Sequence, residues 1–228
     1  DISRLFKQWN KEYIVQCFGI YVYQGNDVIS TIQPTINSMF GYDKAYKNFI
    51  EYFGGEEDVK TNEYTNIFEG KNVLVIHAES MQTNAMELSF NEQQVTPNLN
   101  RLAREGMFFS NFYSQVSVGT SSDAELTFNT SLMPTKSGTA FVSYPDREYI
   151  SIPTLLQEKG YYTFSMHANN ADFWNRRVMH NSLGYRKFYS KVDYEITDDN
   201  IIGLGLSDKE FFVQSVEKLK KIDAKYDN

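Results

Sequence analysis

Cysteine and histidine are scarce: one cysteine, Cys17, and three histidines in 228 residues. A lone thiol excludes an internal disulfide and leaves the redox compartment open, because thiol-poor proteins occur on cell surfaces as well as in the cytosol. Basic clusters are missing too. Lys and Arg number 22 against 29 Asp and Glu, a net charge of -7, and no basic block offsets it. The field of the whole chain therefore repels nucleic acid and anionic membrane, and an anionic substrate has to be held by local cations. The longest apolar stretch, 13–23, is broken by Gln16 and Gly19 and falls short of the roughly 20 residues that cross a bilayer. The opening residues do not read as a signal peptide, and a chain opening on Asp1 is expected to be a piece of something longer. What remains is 41% hydrophobic and 22% charged, the balance of a globular protein with one substantial core.

The first 70 residues are mixed and aromatic-rich, with a helix expected over 42–53 and stopped by Gly54-Gly55, followed by an acidic surface loop over 56–66. From Lys71 the texture changes. Val73-Leu74-Val75-Ile76 is a short β-branched run of the kind found in a parallel strand covered on both faces. Thr96-Pro97 starts a helix over 98–104 that Gly106 closes, and a second strand is expected over 107–113. The alternation continues with a helix over 153–159, a stop at Gly160 and a strand over 161–166. Ser207-Asp208-Lys209-Glu210 reads as a capping box for a last helix to about 222, with Phe212, Val216 and Leu219 on its buried face. Strands alternating with helices predict an α/β fold with a parallel sheet between helical layers.

In such a sheet, ligands bind beyond the carboxyl ends of the strands. Glu79 closes the first strand and His167 closes the strand over 161–166. Between them lies Gly119-Thr120-Ser121-Ser122-Asp123-Ala124-Glu125, a hydroxyl after a glycine at the start of a helix expected to run through Thr130. Free N–H groups and the helix dipole favour an anion there. A carboxylate with an alkoxide oxygen suits a hard divalent cation, which would make the threonine hydroxyl nucleophilic. The plainer alternative is that Thr120 caps its helix, Glu79 is a solvated strand end and His167 is a core histidine. His77 shares a strand face with Glu79 by the two-residue period, and His180 is expected to be exposed. Phe173-Trp174-Asn175-Arg176 offers a flat wall and a two-point phosphate donor, against the alternative of ordinary packing and a surface ion pair.

Together these segments resemble the extracellular catalytic domain of the lipoteichoic acid synthase family, in the sulfatase-like branch of the alkaline phosphatase superfamily. The motifs carrying the resemblance are Ile76-His77-Ala78-Glu79-Ser80-Met81-Gln82, Val95-Thr96-Pro97-Asn98-Leu99-Asn100, Gly119 to Glu125, Gly138-Thr139-Ala140-Phe141 and Phe173 to Arg176. The resemblance implies an α/β three-layer sandwich with a mainly parallel sheet, here incomplete, with 1–70 a lead segment packing on the catalytic domain and 71–228 the first half of that domain. It implies Glu79 and Thr120 as ligands of Mn2+ or Mg2+, Thr120 as nucleophile, and His167, Trp174 and Arg176 as contacts of the glycerophosphate group. Two departures stand out. The family has lysine just before the threonine, where this chain has Gly119, and an acidic residue two after the histidine, where it has Asn169. The family also completes its metal site with an Asp-His pair that this sequence lacks.

The implied activity is transfer of glycerophosphate from phosphatidylglycerol to a growing polyglycerolphosphate chain through a threonine-bound intermediate. It would occur on the outer face of a Gram-positive cell membrane, with a transmembrane part outside this chain and no nucleic acid partner. The chain by itself is expected to be inactive. A sulfatase is disfavoured because Thr120-Ser121-Ser122-Asp123-Ala124 lacks the proline and arginine of the sulfatase pattern. A phosphoethanolamine transferase remains an alternative, as does a non-catalytic interaction module.

Overall fold

A computed structural model describes residues 2–54, 61–136 and 138–226. They form two compact units, one built from 1–40 with 115–228 and the other from 41–114. The first unit opens with α1 (Ser3–Lys7), α2 (Lys11–Phe18) and α3 (Ile20–Met39). Asn10 caps α2 by accepting from the Tyr13 N–H at 3.1 Å, and Asn26 on α3 donates to the Leu5 carbonyl at 3.1 Å, so side-chain amides tie this lead segment to itself.

The second unit holds α4 (Tyr42–Phe53), the hairpin β1 (Ser89–Phe90) with β2 (Gln93–Gln94), and α5 (Pro97–Glu105). Both helices lie where the sequence predicts them. Gly54 stops α4 and Gly106 stops α5, the latter donating to the Leu102 carbonyl at 2.9 Å. Thr96 stands at the start of α5, yet its hydroxyl does not cap the helix; it bonds Ala85 O at 3.1 Å and Asn100 Oδ1 at 2.9 Å.

The two strands expected here do not form. Residues 73–76 and 107–113 have no ladder partner among the described residues, and Val73 to Ile76 remain at least half exposed. A strand exists only through its neighbours, so a β-branched run without a described partner stays irregular. His77 and Glu79 consequently share no strand face; both are exposed, Glu79 on a turn.

Back in the first unit, the chain continues through α6 (Ser121–Thr130), α7 (Ala140–Ser143), α8 (Ile152–Glu158), β3 (Phe164–Met166), α9 (Arg176–Ser182), β4 (Lys187–Tyr189), the hairpin β5 (Ile201–Ile202) and β6 (Gly205–Leu206), and α10 (Asp208–Tyr226). β3 and β4 pair in parallel, Phe164 opposite Lys187 and Met166 opposite Tyr189, with α9 in the crossover. This βαβ unit is the α/β signature predicted from the alternation, although β3 is shorter than the expected 161–166. α8 begins one residue earlier than expected, on a capping box in which the Ser151 and Thr154 side chains each accept the other's backbone N–H. The Ser151 hydroxyl also donates to Leu183 O at 2.6 Å, fixing α8 against the end of α9.

The core is made by Leu126 of α6, Ala140 and Phe141 of α7, Trp174, and Met179 and Leu183 around α9, with Trp9 and Phe173 packed against it. A smaller cluster joins Ala168, Tyr194 and Leu206, flanked by Phe211. The last helix corrects its expected phase. Phe212 and Val216 are 46% and 45% exposed, whereas Phe211 packs on the smaller cluster and buried Ser215 meets the Tyr194 hydroxyl at 3.2 Å. Gln214 adds bonds in both directions with the Glu195 backbone at 2.9 Å. Polar anchoring to the 194–195 segment turned the helix away from its most apolar stripe. Its first turn keeps half of the expected box, the Glu210 N–H donating to Ser207 Oγ at 3.4 Å.

Candidate active site

The loop before α6 is held by one buried carboxylate. Asp123 is 1% exposed, and its Oδ2 accepts the backbone N–H groups of Ser117 and Gly119, both at 2.9 Å. The Ser122 N–H donates to Gly119 O at 2.9 Å, which closes a four-residue turn over 119–122. Thr120 occupies its second position with φ 43° and ψ -108°. That is close to the first corner of a type II′ turn, about +60° and -120°, where glycine is the usual residue. A β-branched side chain in this region is strained by roughly 1–3 kcal/mol, and strain of this kind clusters at functional sites. Thr120 does not cap α6 with its hydroxyl, so the plain capping role weighed for it is not the one adopted. The Thr120 side chain is exposed, and Ser121, beside it at the first position of α6, is buried at 8%.

Gly119 has a steric reason. A Cβ at this position would stand 2.7 Å from Asp123 Cγ and 2.8 Å from Ser122 Oγ, and closer still to Asp123 Oδ1. No larger residue fits while Asp123 holds the loop.

One turn into α6, Glu125 gathers the charged groups of the site. Arg176 donates to it from Nε at 2.9 and 3.2 Å and from Nη2 at 2.6 Å. His180 Nε2 lies 2.8 Å from Glu125 Oε2, and His180 Nδ1 lies 2.8 Å from Ser165 Oγ on β3. A ring protonated at Nε2 alone satisfies both contacts, donating to the carboxylate and accepting from the hydroxyl. Arg176 and His180 are 3% and 6% exposed. Burial pushes the Glu125 carboxyl up, but the Arg176 charge and the hydrogen bonds from His180 and Arg176 outweigh it and hold the group well below the usual carboxylate range. Asn129 donates to the Glu125 carbonyl at 2.7 Å and accepts from Tyr185 OH at 2.8 Å, so this part of α6 is braced on two sides.

His180 was expected at the surface and is instead part of this buried set. Its neighbours explain it: Arg176, Met179, His180 and Leu183 recur at the three- and four-residue spacing of one helical face, and all four are buried. Two basic side chains on a buried face demand a carboxylate. That demand was the signal available in the sequence, and Glu125 answers it from 51 and 55 positions away.

The remaining predicted residues take different places. Trp174 is 7% exposed, has a left-handed φ of 56°, and donates its N–H to Trp9 O at 3.0 Å; its indole belongs to the core, while Phe173 packs edge-on against Trp9 at 5.5 Å. His167 follows β3, half-buried, its N–H donating to Tyr189 O at 2.9 Å. Asn169 donates its backbone N–H to His167 O at 2.9 Å, turning the chain directly after the strand. Thr120, His167, Trp174 and Arg176 all belong to the first unit, in which α6 is bonded to α9 through Glu125. Glu79 lies in the other unit. Among the described residues no group of three His, Cys, Asp or Glu side chains is placed to hold a metal ion, and no helix is long and apolar enough to cross a membrane.

Comparison with known proteins agrees with this architecture. Residues 71–227 match the Sulfatase family profile, from the position where the composition changes. Lipoteichoic acid synthase 1 of Bacillus subtilis is 34% identical over 222 residues, 96% of this chain and 35% of the relative. Lipoteichoic acid synthase of Staphylococcus saprophyticus is 34% identical over 221 residues, 95% of this chain and 34% of the relative. The crystal structure of the lipoteichoic acid synthase LtaP from Listeria monocytogenes superimposes with a TM-score of 0.70 at 31% identity, over 78% of this chain and 43% of that one. The chain spans about a third of the length of the curated relatives it matches.

Proposed function

Because the chain belongs to the sulfatase family, in its lipoteichoic acid synthase branch, we propose that it forms part of a phosphotransferase moving glycerophosphate from phosphatidylglycerol to a growing polyglycerolphosphate chain. The observation that carries this reading is the loop before α6: a strained turn with two adjacent hydroxyls at a helix N-terminus, locked by Asp123 and bonded through Glu125 to Arg176. A hydroxyl there attacks phosphorus, the diacylglycerol oxygen leaves with a proton, and a glycerophosphoryl-enzyme forms. The terminal hydroxyl of the acceptor then attacks the same phosphorus and frees the residue. The N–H groups opening α6 favour the anion, Arg176 supplies a cation, and His167 shapes the donor side, with Trp174 supporting the segment from the core. This activity belongs to the outer face of a Gram-positive membrane.

Members of the superfamily are metal-dependent. Glu79 and a loop hydroxyl amount to two oxygen ligands of the roughly six that Mn2+ or Mg2+ takes, too few to make a site among the described residues.

Two residues compete for the nucleophile. The motif resemblance points to Thr120, with Gly119 in the lysine position. The backbone favours a register one residue on: position 119 admits no side chain against Asp123, whereas exposed position 120 would take a lysine, leaving Ser121 as the attacking hydroxyl. Diacylglycerol release from phosphatidylglycerol by the protein at its native length separates them. Loss in Thr120→Ala alone identifies Thr120, and loss in Ser121→Ala alone identifies Ser121. Full turnover in both, or transfer of ethanolamine phosphate instead, would end this reading.

A further inference from the structure

Arg176 has five N–H donors, and Glu125 engages its Nε and Nη2 edge at two points. Its other terminal nitrogen, Nη1, has only a 3.5 Å approach to Phe173 O, at the outer limit of a hydrogen bond. The guanidinium plane also lies over the Phe173 ring, 5.8 Å from its centroid. Every torsion of the arginine head is thereby fixed while part of its donor set stays uncommitted.

A buried ion pair of this kind is a poor device for stability alone, since well-packed apolar residues of equal volume serve as well or better. It is a good device for holding a planar donor at one orientation. Glu125 sits on the helix that the nucleophile loop begins, four or five positions after the two candidate hydroxyls. The same carboxylate therefore sets the position of the cation relative to the attacking group, and His180, pinned by Ser165 of β3, sets the position of the carboxylate.

We propose that Glu125 is a positioning residue for phosphate recognition, orienting Arg176 so that its Nη1 edge donates to a phosphate oxygen of the glycerophosphate group. This rests on the transferase reading above and adds a role for a residue that lies in the Gly119 to Glu125 motif but was assigned none. Glu125 touches no substrate; it acts through Arg176.

The test uses the protein at its native length and two readouts per folded molecule: affinity for sn-glycerol 3-phosphate, and kcat and KM for diacylglycerol release from phosphatidylglycerol vesicles. Hydrogen bonds to a charged partner are worth enough that losing one weakens binding about tenfold or more. Arg176→Lys and Glu125→Gln should each weaken the probe by at least about that factor and raise KM, and Glu125→Asp should restore part of the loss. Wild-type affinity in Glu125→Gln, with Arg176→Lys impaired and only thermal stability reduced, would overturn the positioning role and leave the transferase reading intact. Where Glu125→Gln fails to fold, Glu125→Asp decides: wild-type affinity in that variant is equally fatal to the proposal. Absence of both probe binding and turnover in the wild type would overturn the proposal together with the reading beneath it.

Discussion

Replacing Thr120 by glycine should make the protein more stable, whichever hydroxyl is the nucleophile. Thr120 has φ 43° and ψ -108°, and holding a β-branched residue there costs roughly 1–3 kcal/mol. Glycine relieves that strain at no steric cost but loses about 0.5–1 kcal/mol more conformational entropy on folding. The Thr120 side chain is exposed and makes no capping bond, so little packing is lost. The balance is a gain of about 1 kcal/mol, or roughly 2–4 °C in Tm for a domain of this size. Thr120→Ala is the control, because alanine keeps the unfavourable φ and should change stability by less than about 0.5 kcal/mol. Urea unfolding of the 228-residue chain, followed by circular dichroism, measures all three proteins. A Thr120→Gly variant less stable than wild type would refute the assignment of a type II′ corner and, with it, the strained loop on which the proposed function depends.

Gly119→Lys should destabilise by about 1–3 kcal/mol or more through overpacking against Asp123; wild-type stability in that variant would remove the steric case for Ser121 as nucleophile. Phe141→Ala, at 0% exposure in the main core, should cost about 3–5 kcal/mol in urea unfolding, and a much smaller cost would place the core elsewhere. Acid should weaken the α6–α9 junction: the folded Glu125 carboxyl lies below its ordinary value of 4.5, so its contribution is complete above about pH 5 and is lost as pH falls below 4.5 towards the folded value. The wild-type Tm should therefore drop more steeply between about pH 5 and pH 3 than that of Glu125→Gln, and parallel curves would show that Glu125 does not titrate in this way.

Local elements were legible from the sequence and non-local ones were not. Ser151, Pro97 and the glycines at 54, 106 and 160 act within a few residues of themselves, and the helices they bound lie within a residue or two of the predicted limits, whereas α1, α2 and α3 were not read from the sequence. The strands depend on partners far along the chain. The run over 161–166 gained one in β4 and formed, while the more strongly β-branched run over 73–76 found none among the described residues and did not. Apolar periodicity misled at α10 for the same reason. Its orientation was decided by the Tyr194 hydroxyl and the Glu195 backbone, which no hydrophobic count includes.

The motif around Thr120 was visible as a string, but its mechanics were not. Asp123 is an acidic residue in the first turn of α6, where the dipole favours it. The fold gives it a second task, bonding two N–H groups upstream of its own helix and thereby forbidding a side chain at 119. A side chain at 119 and an aspartate bonded to that loop compete for the same few ångströms, so the glycine and the carboxylate have to be read as one unit. In the register that the backbone favours, the lysine of the family pattern falls on position 120 and Gly119 is no departure at all. Gly119 is the condition for a rigid loop, and in the proposed reaction the positive charge for the phosphate would fall to Arg176, held from the same helix by Glu125.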